Sequence, residues 1–187
     1  MATPSETVWG ADPPALRVGQ GVDVHRFSDD PDRAMVLGGV AITGEGAQGL
    51  EGHSDADVVC HAIADAVLGA AGLGDLGRHA PDDDPRWEGA DSAELLARMV
   101  GLARQAGWVP VNADCTVVAE RPRLAAFVEA MSARLAVALG APVNVKATRA
   151  EGLGALGRAE GVACTAVVLL AHHAPTGAPA GRSGGPA

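Results

Sequence analysis

The sequence predicts an α/β (α+β) fold, in which a single domain packs its helices on one face of a mixed β-sheet. Three observations lead to this expectation. Segments with a strand-like pattern alternate along the chain with segments of helical periodicity, as in domains that layer helices on a sheet. The chain has 187 residues, which is enough for one hydrophobic core. Its residues are 48% apolar but only 3% aromatic, so we expect a core of aliphatic side chains and alanine.

The first expected elements are two strands and a helix. The segment RVGQGVDVHRF brings Val18, Val22 and Val24 into a strand-like run, and MVLGGVAI predicts a second short strand. After them, DADVVCHAIADAVLGAAG has apolar residues at helical spacing. Ser54, just before this stretch, is the expected N-cap, and the final glycine is the expected end of the helix.

The rest of the domain alternates in the same way. The stretch GLGDLGRHAPDDDPRWEGAD predicts a long acidic loop, and a helix follows it from Asp91 or Ser92 through Gln105. NADCTVVAE has the pattern of a strand, and Pro122 is expected to open a helix that ends at Gly140. VNVKAT and GVACTAVVLLA are the expected closing strands.

Both ends of the chain are expected to be disordered tails. Residues 1–15 and 172–187 are rich in proline, glycine, serine and alanine, and they show no hydrophobic periodicity. Such segments cannot bury enough surface to offset the entropy lost on ordering. The predicted domain therefore covers residues 16–171, and His172 and His173 are expected to have no function.

Charge and cysteine content limit the partners and the compartment. Acidic residues outnumber basic ones 23 to 14, which gives a net charge of −9 at pH 7. A nucleic-acid backbone would repel such a chain, so nucleic acid is not an expected partner. No apolar stretch reaches the length of about 20 residues that a membrane helix needs, so a membrane is not expected either. The three cysteines each lie in an apolar run, which indicates buried reduced thiols and a cytoplasmic protein.

Two short motifs predict a metal site. Asp23 and His25 are two residues apart on a strand, so their side chains leave the same face. On the helix, Asp57 and His61 are four residues apart and share a face, with Asp65 one turn further along. We expect His61 to be the third ligand, and either Asp57 or Asp65 to orient its imidazole. Two imidazoles and one carboxylate suit zinc first, with manganese or iron as alternatives, and three protein ligands leave a position open for a reactant.

Two further segments have features that bind phosphate. Ser54 and the backbone amides of the first helical turn lie at the positive end of the helix dipole, where anions bind, and His53 could add a hydrogen bond. In the later segment KATRAEGLGALGR, Lys146, Arg149 and Arg158 lie around glycines and could clamp phosphate oxygens, while Glu151 holds a second cation. Each segment also has an ordinary interpretation: a capping serine beside a surface histidine, and a solvated loop.

The motifs GVDVHRF, LGG, GHSDADVVCHAIADAVLGAAGLGDLGRHAPDDDP and VNVKAT together resemble the 2-C-methyl-D-erythritol 2,4-cyclodiphosphate synthase family of the non-mevalonate isoprenoid pathway. The resemblance covers nearly all of the predicted domain. It implies a homotrimer with active sites between neighbouring subunits, and an intramolecular phosphoryl transfer on a cytidine-diphosphate-linked substrate that releases CMP. It also implies Zn²⁺ or Mn²⁺ on Asp23, His25 and His61, and Mg²⁺ or Mn²⁺ near Glu151 that bridges the diphosphate.

The resemblance also assigns roles to further residues. His53 matches a catalytic residue beside the transferring phosphate, and Ser54 matches a neighbouring substrate contact. Arg149 stands where the family usually has a threonine that stabilises the transition state, so that catalytic role requires the guanidinium to substitute for a hydroxyl. Ala155 replaces a usual aromatic residue. The remaining matches to substrate-binding positions are Asp75, Gly77, Asp82, Asp84, Ala119, Pro122, Arg123, Thr148 and Arg158.

Two alternatives fit the same three metal ligands. Two histidines and a carboxylate also form the facial triad of non-haem iron oxygenases, although the chain lacks the many short strands of their usual double-sheet scaffold. Alternatively, the ion could stabilise an assembly module without catalysis, an idea that Arg149 and Ala155 make credible. Zinc removal would unfold such a module, whereas a catalytic site would leave the fold largely intact.

Overall fold

The computed structural model describes residues 15–173. The predicted tails lie outside these residues, except for Ala15, His172 and His173. In chain order the elements are β1 (Leu16–Arg26), β2 (Met35–Leu37), β3 (Val40–Ile42), α1 (Val58–Ala71), α2 (Leu76–His79), a 3₁₀ turn (Pro85–Trp87), α3 (Ser92–Gln105), β4 (Trp108–Val118), α4 (Val128–Leu139), β5 (Val143–Thr148), α5 (Gly154–Gly157) and β6 (Gly161–His172).

Four strands form a mixed sheet in the order β1-β6-β4-β5. Strand β6 runs antiparallel to β1 and β4, whereas β4 and β5 are parallel. Helix α1 packs on β1 and β6, α4 packs on β5, and α3 lies against α1, α4 and β4. The helices enclose a core of aliphatic side chains and alanine, as the sequence predicts. The described residues form this sheet and one separate hairpin, not the two large packed sheets of the oxygenase scaffold.

Two glycines of β1 allow α1 to lie directly on the strand. A Cβ atom on Gly19 would come within 1.9 Å of the carbonyl oxygen of Ala66, and one on Gly21 equally close to that of Ala62. Only a residue without a side chain permits this approach. Because side chains alternate along a strand, Asp23 follows Gly19 and Gly21 on the face that α1 covers.

Among residues 15–173, no helix covers the opposite face of the sheet. Val18, Val22 and Val24 lie in β1 as the sequence predicts, but they point away from the helices and are 69%, 53% and 59% exposed. Val167 of β6 is 47% exposed on the same face. A contiguous group of exposed aliphatic side chains of this kind is typical of a surface that another molecule covers.

Helix α1 begins at Val58 and is capped by Asp57, so the prediction of Ser54 as N-cap is wrong. Oδ1 of Asp57 accepts hydrogen bonds from the amides of Val59 at 3.0 Å and Cys60 at 3.2 Å. The caps differ because a carboxylate three residues further along reaches those orphan amides directly. The amides that the sequence offered as an anion site are therefore already bonded to Asp57.

The segment MVLGGVAI forms a hairpin of β2 and β3, rather than one strand. Gly38 and Gly39 make the turn with φ values of 59° and 71°, a region that side chains disfavour. Their amides donate to Asp57, at 2.8 Å to Oδ1 and 2.6 Å to Oδ2. The fully buried Asp57 therefore ties the hairpin to the start of α1.

Helix α4 begins at Val128, six residues later than the prediction from Pro122. Pro122 is buried in the connection after β4, and Leu124 inserts into the core with 4% exposure. The need to bury Leu124 holds this segment in a turn before the chain becomes helical. The helix ends at Gly140, as predicted, in the left-handed conformation that favours glycine.

The acidic loop between α1 and α3 contains two short helical turns that the sequence analysis did not predict. Asp75 caps α2 by accepting from the amide of Arg78, and Asp84 caps the 3₁₀ turn by accepting from the amide of Arg86. The guanidinium of Arg86 also pairs with the Asp84 carboxylate. Capping therefore accounts for part of the acidic character of this loop.

Strand β6 extends to His172, so the prediction that the C-terminal tail starts there is wrong. The His172 amide donates to the Ala15 carbonyl at 2.8 Å, and its imidazole packs edge-on against Trp108 at 5.2 Å between ring centres. Pairing with Trp108 of β4 and the hydrogen bond to the residue before β1 keep His172 in the sheet, although its side chain is exposed.

The predicted cysteines and helices fit a domain with a continuous core. All three cysteines, Cys60, Cys115 and Cys164, are buried and free, as expected. Helix α5 lies in the glycine-rich segment before β6, which was expected to be a loop.

No helix within residues 15–173 is both long enough and apolar enough to cross a membrane.

Candidate active site

Asp23, His25 and His61 converge, as the sequence predicts. Nε2 of His25 lies 2.9 Å from Oδ2 of Asp23, and Nδ1 of His61 lies 3.1 Å from the same oxygen. The two ring nitrogens are 3.3 Å apart. Contact between β1 and α1 at Gly21 and Ala62 brings the helical histidine to the strand, because His61 is the residue before Ala62.

Hydrogen bonds on the far sides of both rings leave these nitrogens free to act as ligands. Nδ1 of His25 lies 2.5 Å from the backbone carbonyl of Glu51, so Nδ1 carries a proton, and Nε2 would present its lone pair once a cation replaces the proton that faces Asp23. Nε2 of His61 lies 3.0 Å from Oγ of Ser92 and 3.2 Å from Oγ of Ser54. This pattern is typical of metal-binding histidines, whose second nitrogen is held by an oxygen acceptor.

The site attracts positive charge. Burial raises the pKa of Asp23, but hydrogen bonds from His25 and His61 outweigh it and hold that pKa well below its ordinary value. Burial lowers the pKa of His25, but the hydrogen bond to Asp23 and the charge of that carboxylate outweigh it and raise the pKa. Asp23 is therefore an anion that binds a proton on His25 or a cation in its place.

The donor set fits a transition-metal ion. Two imidazole nitrogens and one carboxylate oxygen lie within 4.8 Å of one another, and each side chain is partly exposed. These donors suit Zn²⁺ and Mn²⁺, and three protein ligands leave an open position as in catalytic sites. The open side faces a cavity of about 560 Å³, a volume typical of small-molecule sites.

The cavity contains most of the predicted residues from the first half of the chain. Its walls consist of Asp23, His25 and His61, here called the metal triad, together with the loop before α1 and the acidic loop that contains α2. The lining residues are Val22, Asp23, His25, His53, Ser54, His61, Asp65, Asp75, Leu76, Gly77, Ala80, Pro81, Asp82, Trp87 and Leu95. The predicted contacts Asp75, Gly77 and Asp82 thus lie in one cavity with the metal triad.

His53 is held at the wall of this cavity by the acidic loop. Its Nε2 lies 3.1 Å from the backbone carbonyl of Asp84, and its own carbonyl accepts from the amide of Gly89 at 2.9 Å. Asp84 itself is engaged with Arg86 and does not line the cavity. The Asp84 side chain therefore supports the loop, whereas its carbonyl orients His53.

The prediction that Asp57 or Asp65 orients His61 is wrong. The carboxylate of Asp57 accepts hydrogen bonds from the first amides of α1 and from the hairpin amides. Oδ1 of Asp65 accepts from the amide of Leu76 at 2.7 Å. Asp65 lies one turn beyond His61, but its carboxylate points toward the start of α2. Ser92 provides the contact instead, from a helix far away in sequence.

The predicted site residues from the second half of the chain form a second group, which lies at the edge of the sheet away from Asp23, His25 and His61. Its members are Ala119, Pro122, Arg123, Thr148, Arg149, Glu151 and Arg158. Ala119 and Pro122 follow β4, and Thr148 ends β5, whereas the metal ligands lie on β1 and α1. Strands β1 and β5 are the two edges of the four-stranded sheet, about 14 Å apart. Within residues 15–173 of one chain, this group contributes nothing to the lining of the metal-site cavity.

Arg149 does not project freely from this second group. Its guanidinium pairs with Oε2 of Glu120 at 2.8 and 3.0 Å, and the amide of Gly152 donates to Oε1 of the same carboxylate. Nearby, Glu151 is exposed with a φ of 52°, and Arg158 pairs with Glu160. Glu120, which the sequence analysis did not single out, thus organises the loop after β5.

Residues 16–171 match the YgbB family over almost the whole described domain. Two curated relatives agree with this match over nearly their full lengths. The chain belongs to the YgbB family. The 2-C-methyl-D-erythritol 2,4-cyclodiphosphate synthase of Geobacillus thermodenitrificans is 57% identical over 158 residues, which cover 83% of this chain and 96% of the relative. The enzyme of the same name from a Synechococcus species is 51% identical over 160 residues, 84% of this chain and 95% of the relative.

Solved structures show the same YgbB-family fold. IspF of Plasmodium falciparum in a CDP complex matches with a TM-score of 0.72 and 28% identity, over 86% of this chain and 99% of that one. A 2C-methyl-D-erythritol-2,4-cyclodiphosphate synthase, also bound to CDP, matches with a TM-score of 0.73 and 34% identity, over 82% of this chain and 99% of that one. The mixed sheet and its layer of helices are therefore the family's architecture.

Three residues of this YgbB-family site were not predicted as site residues. Ser92 was considered only as a helix start, and Asp55 was not assigned any role. Trp87 lines the cavity, and the guanidinium of Arg98 lies 5.2 Å from its ring centre. Trp87 had a sequence signal, because an aromatic residue in a polar loop is conspicuous in a chain with so few. The roles of Ser92 and Asp55 depend on contacts between distant segments, which no local pattern reveals.

Proposed function

We infer that the chain is a 2-C-methyl-D-erythritol 2,4-cyclodiphosphate synthase. It converts 4-diphosphocytidyl-2-C-methyl-D-erythritol 2-phosphate to 2-C-methyl-D-erythritol 2,4-cyclodiphosphate and CMP. One observation carries this conclusion: Asp23, His25 and His61 converge at the wall of a cavity, within a YgbB-family domain whose relatives carry this name. The function explains why a strongly acidic chain has a local site for a phosphorylated substrate.

The reaction is an intramolecular phosphoryl transfer. An oxygen of the 2-phosphate attacks the β-phosphorus and forms the new P–O bond of the ring. The bond from the β-phosphorus to the oxygen shared with the α-phosphate breaks, and its electron pair leaves with CMP. No protein nucleophile is needed, so the residues must hold two repelling phosphates in line and offset their charge.

The metal triad and the residues beside it suit the reacting end of the substrate. Asp23, His25 and His61 would hold Zn²⁺ or Mn²⁺, which when bound would polarise and align the β-phosphate. His53, fixed through its contact with the Asp84 carbonyl, would steady the attacking phosphate. The hydroxyl of Ser54 lies at the cavity wall and would donate to a phosphate oxygen.

The acidic side of the cavity suits the sugar-like part of the substrate. Asp75, Gly77 and Asp82 line the same cavity as Asp23, His25 and His61 and would contact the methylerythritol hydroxyls. Carboxylate oxygens accept hydrogen bonds from hydroxyl groups, which explains acidic residues in a site that must also receive phosphates. Asp84 would act on the substrate only indirectly, through the loop that it caps.

The second group suits the nucleotide end. Ala119, Pro122 and Arg123 would form the cytidine pocket, and Thr148 and Arg158 would contact the diphosphate. Glu151 would hold Mg²⁺ or Mn²⁺, which would offset the negative charge of the diphosphate. Arg149 stands in the position of the family's threonine. Its guanidinium, which Glu120 orients, would stabilise the negative charge on the transferring phosphoryl group. The pair with Glu120 supports this role, since it fixes a cation at the end of β5.

A homotrimer with sites between subunits accounts for the separation of the two groups. The metal triad and the nucleotide-binding segment lie on opposite edges of the sheet in one chain, so a neighbour would bring its nucleotide-binding segment to the metal cavity. The exposed face with Val18, Val22 and Val24 supports such packing, because assembly would bury these side chains.

Complementation between two inactive variants tests this arrangement. His61→Ala removes the metal side, and Arg123→Glu removes the nucleotide side with a reversed charge. Subunits mixed equally, dissociated and reassembled should recover activity, because about a quarter of sites at random would combine two intact halves. Each variant carried alone through the same procedure is the control. A mixture as inactive as its components would contradict a site shared between subunits.

Incubation of the metal-loaded protein with the cytidine-diphosphate-linked phosphate tests the reaction itself. Phosphorus NMR should show the ring diphosphate appear together with CMP, under nitrogen as well as in air. Chelator treatment should stop turnover and leave the far-ultraviolet circular dichroism spectrum unchanged. Addition of Zn²⁺ and Mg²⁺ should restore turnover. Dependence on dioxygen would favour the oxygenase, and unfolding on chelation without any turnover would favour the assembly module.

A further inference from the structure

We propose that Asp55 and Ser92 form a hydrogen-bonded relay that positions His61 as a ligand through its Nδ1 atom. The inference rests on the metal site proposed above. Oγ of Ser92 lies 3.0 Å from Nε2 of His61 and 2.5 Å from Oδ1 of Asp55. The other carboxylate oxygen, Oδ2 of Asp55, accepts from the backbone amide of Ser92 at 3.1 Å. One carboxylate therefore holds Ser92 by two bonds.

The carboxylate sets the direction of every bond in the relay. An ionised carboxylate can only accept, so the single hydroxyl proton of Ser92 points to Asp55. The lone pairs of the Ser92 oxygen then accept the proton on Nε2 of His61. An imidazole protonated at Nε2 keeps its lone pair on Nδ1, which is the atom that faces Asp23. Asp55 thus fixes the ligating tautomer of His61 without touching the ring.

The relay is also held rigidly between two elements. Ser92 is 1% exposed and is the first residue of α3, which Asp91 caps independently. The amide of Asp55 donates to the carbonyl of Ala90 at 3.1 Å, so the loop before α1 is joined to the start of α3 at Ala90 as well as at Ser92. A preorganised acceptor limits rotation of the His61 ring at little entropic cost on metal binding.

Ser54 contacts the same nitrogen but is constrained differently. Its Oγ lies 3.2 Å from Nε2 of His61 and accepts from the amide of Ala56 at 3.2 Å. Among the described residues no carboxylate contacts this hydroxyl, so its proton is free to turn toward Ser92 or into the cavity. Ser54 therefore offers a matched control: a serine beside the same imidazole that lacks the anchoring carboxylate.

Zinc affinity of the metal-free protein tests the relay, measured by competition with a chromophoric chelator. Ser92→Ala and Asp55→Asn should each bind Zn²⁺ about 10- to 100-fold more weakly than the unchanged chain. In Asp55→Asn, the side-chain amide has two possible orientations, and neither reproduces the carboxylate. In one, the new NH₂ group faces the backbone N–H of Ser92, so two donors point at each other. In the other, the NH₂ group donates to the Ser92 oxygen, and the hydroxyl proton of Ser92 turns toward Nε2 of His61. The double variant should bind no more weakly than the weaker single variant, because both changes break one relay.

Ser92→Thr, which keeps the hydroxyl, and Ser54→Ala should stay within about threefold of the original affinity, well below the loss expected from breaking the relay. Wild-type affinity in both Ser92→Ala and Asp55→Asn, or an equal loss in Ser54→Ala, would overturn the relay. Asp55→Asn alone decides the question if Ser92→Ala does not fold, since Asp55 is only partly buried. An unchanged chain that binds no Zn²⁺ would instead contradict the metal site itself.

Discussion

His61→Ala is expected to lower the rate of cyclisation by about 1000-fold or more while the protein remains folded. His61 is one of the three proposed metal ligands, and loss of the metal would remove several kcal/mol of transition-state stabilisation. The fold should survive because His61 lies at the wall of the cavity and is not part of the hydrophobic core. Turnover by phosphorus NMR and zinc content by atomic absorption measure the two effects.

His172→Ala is the matched control for this variant. It removes an imidazole that packs on Trp108 and lies outside the cavity lining. Zinc content and turnover should therefore be unchanged. An active His61→Ala protein, or one that retains a full equivalent of zinc, would show that the three converging side chains are not the metal site.

Gly21→Ala is expected to destabilise the domain by about 3 kcal/mol and to lower the melting temperature by roughly 10 °C. The new Cβ atom would lie 1.9 Å from the Ala62 carbonyl oxygen, and backbone cannot move aside as a side chain can. Relief requires α1 to move away from β1, which also separates His61 from Asp23. Zinc affinity should therefore fall together with stability, in a variant that leaves every ligand in place.

Gly69→Ala, in helix α1, provides the comparison with Gly21→Ala in β1. No atom lies within 4 Å of a Cβ built at Gly69, so the change should stabilise the protein by about 0.5–1 kcal/mol through helix propensity. Thermal and urea unfolding measure both variants. Equal stability of Gly21→Ala and Gly69→Ala would mean that β1 and α1 do not make the close contact on which the metal site depends.

The convergence of the three proposed metal ligands could be predicted because their positions follow from local periodicity. Asp23 and His25 share a face of β1 since side chains alternate along a strand, and His61 falls on the helix that follows. The strands and the helices α1 and α3 were predicted for the same reason. The hairpin of β2 and β3 was missed because two glycines in a short apolar run give a weak signal.

Side-chain partners were harder to predict than positions. Asp57 and Asp65 have the right helical spacing to reach His61, but both carboxylates are closer to unpaired backbone amides and bond to those instead. Ser54 lost its predicted role as a cap in the same way. Short polar side chains bond to the nearest orphan amide, and which amide is nearest depends on how the loops pack.

The amino-acid sequence determined the family, the chemistry of the metal ligands and the order of most elements, because these depend on residue type and on spacing along one segment. Only the tertiary structure decided which groups meet across segments. It brought Ser92 and Asp55 to His61, and it placed the proposed nucleotide-binding segment at the β5 edge of the sheet, away from Asp23, His25 and His61. Such contacts follow from the packing of α1 on β1 and α3 on α1, where the surfaces of whole elements, rather than any local pattern, fix the distances.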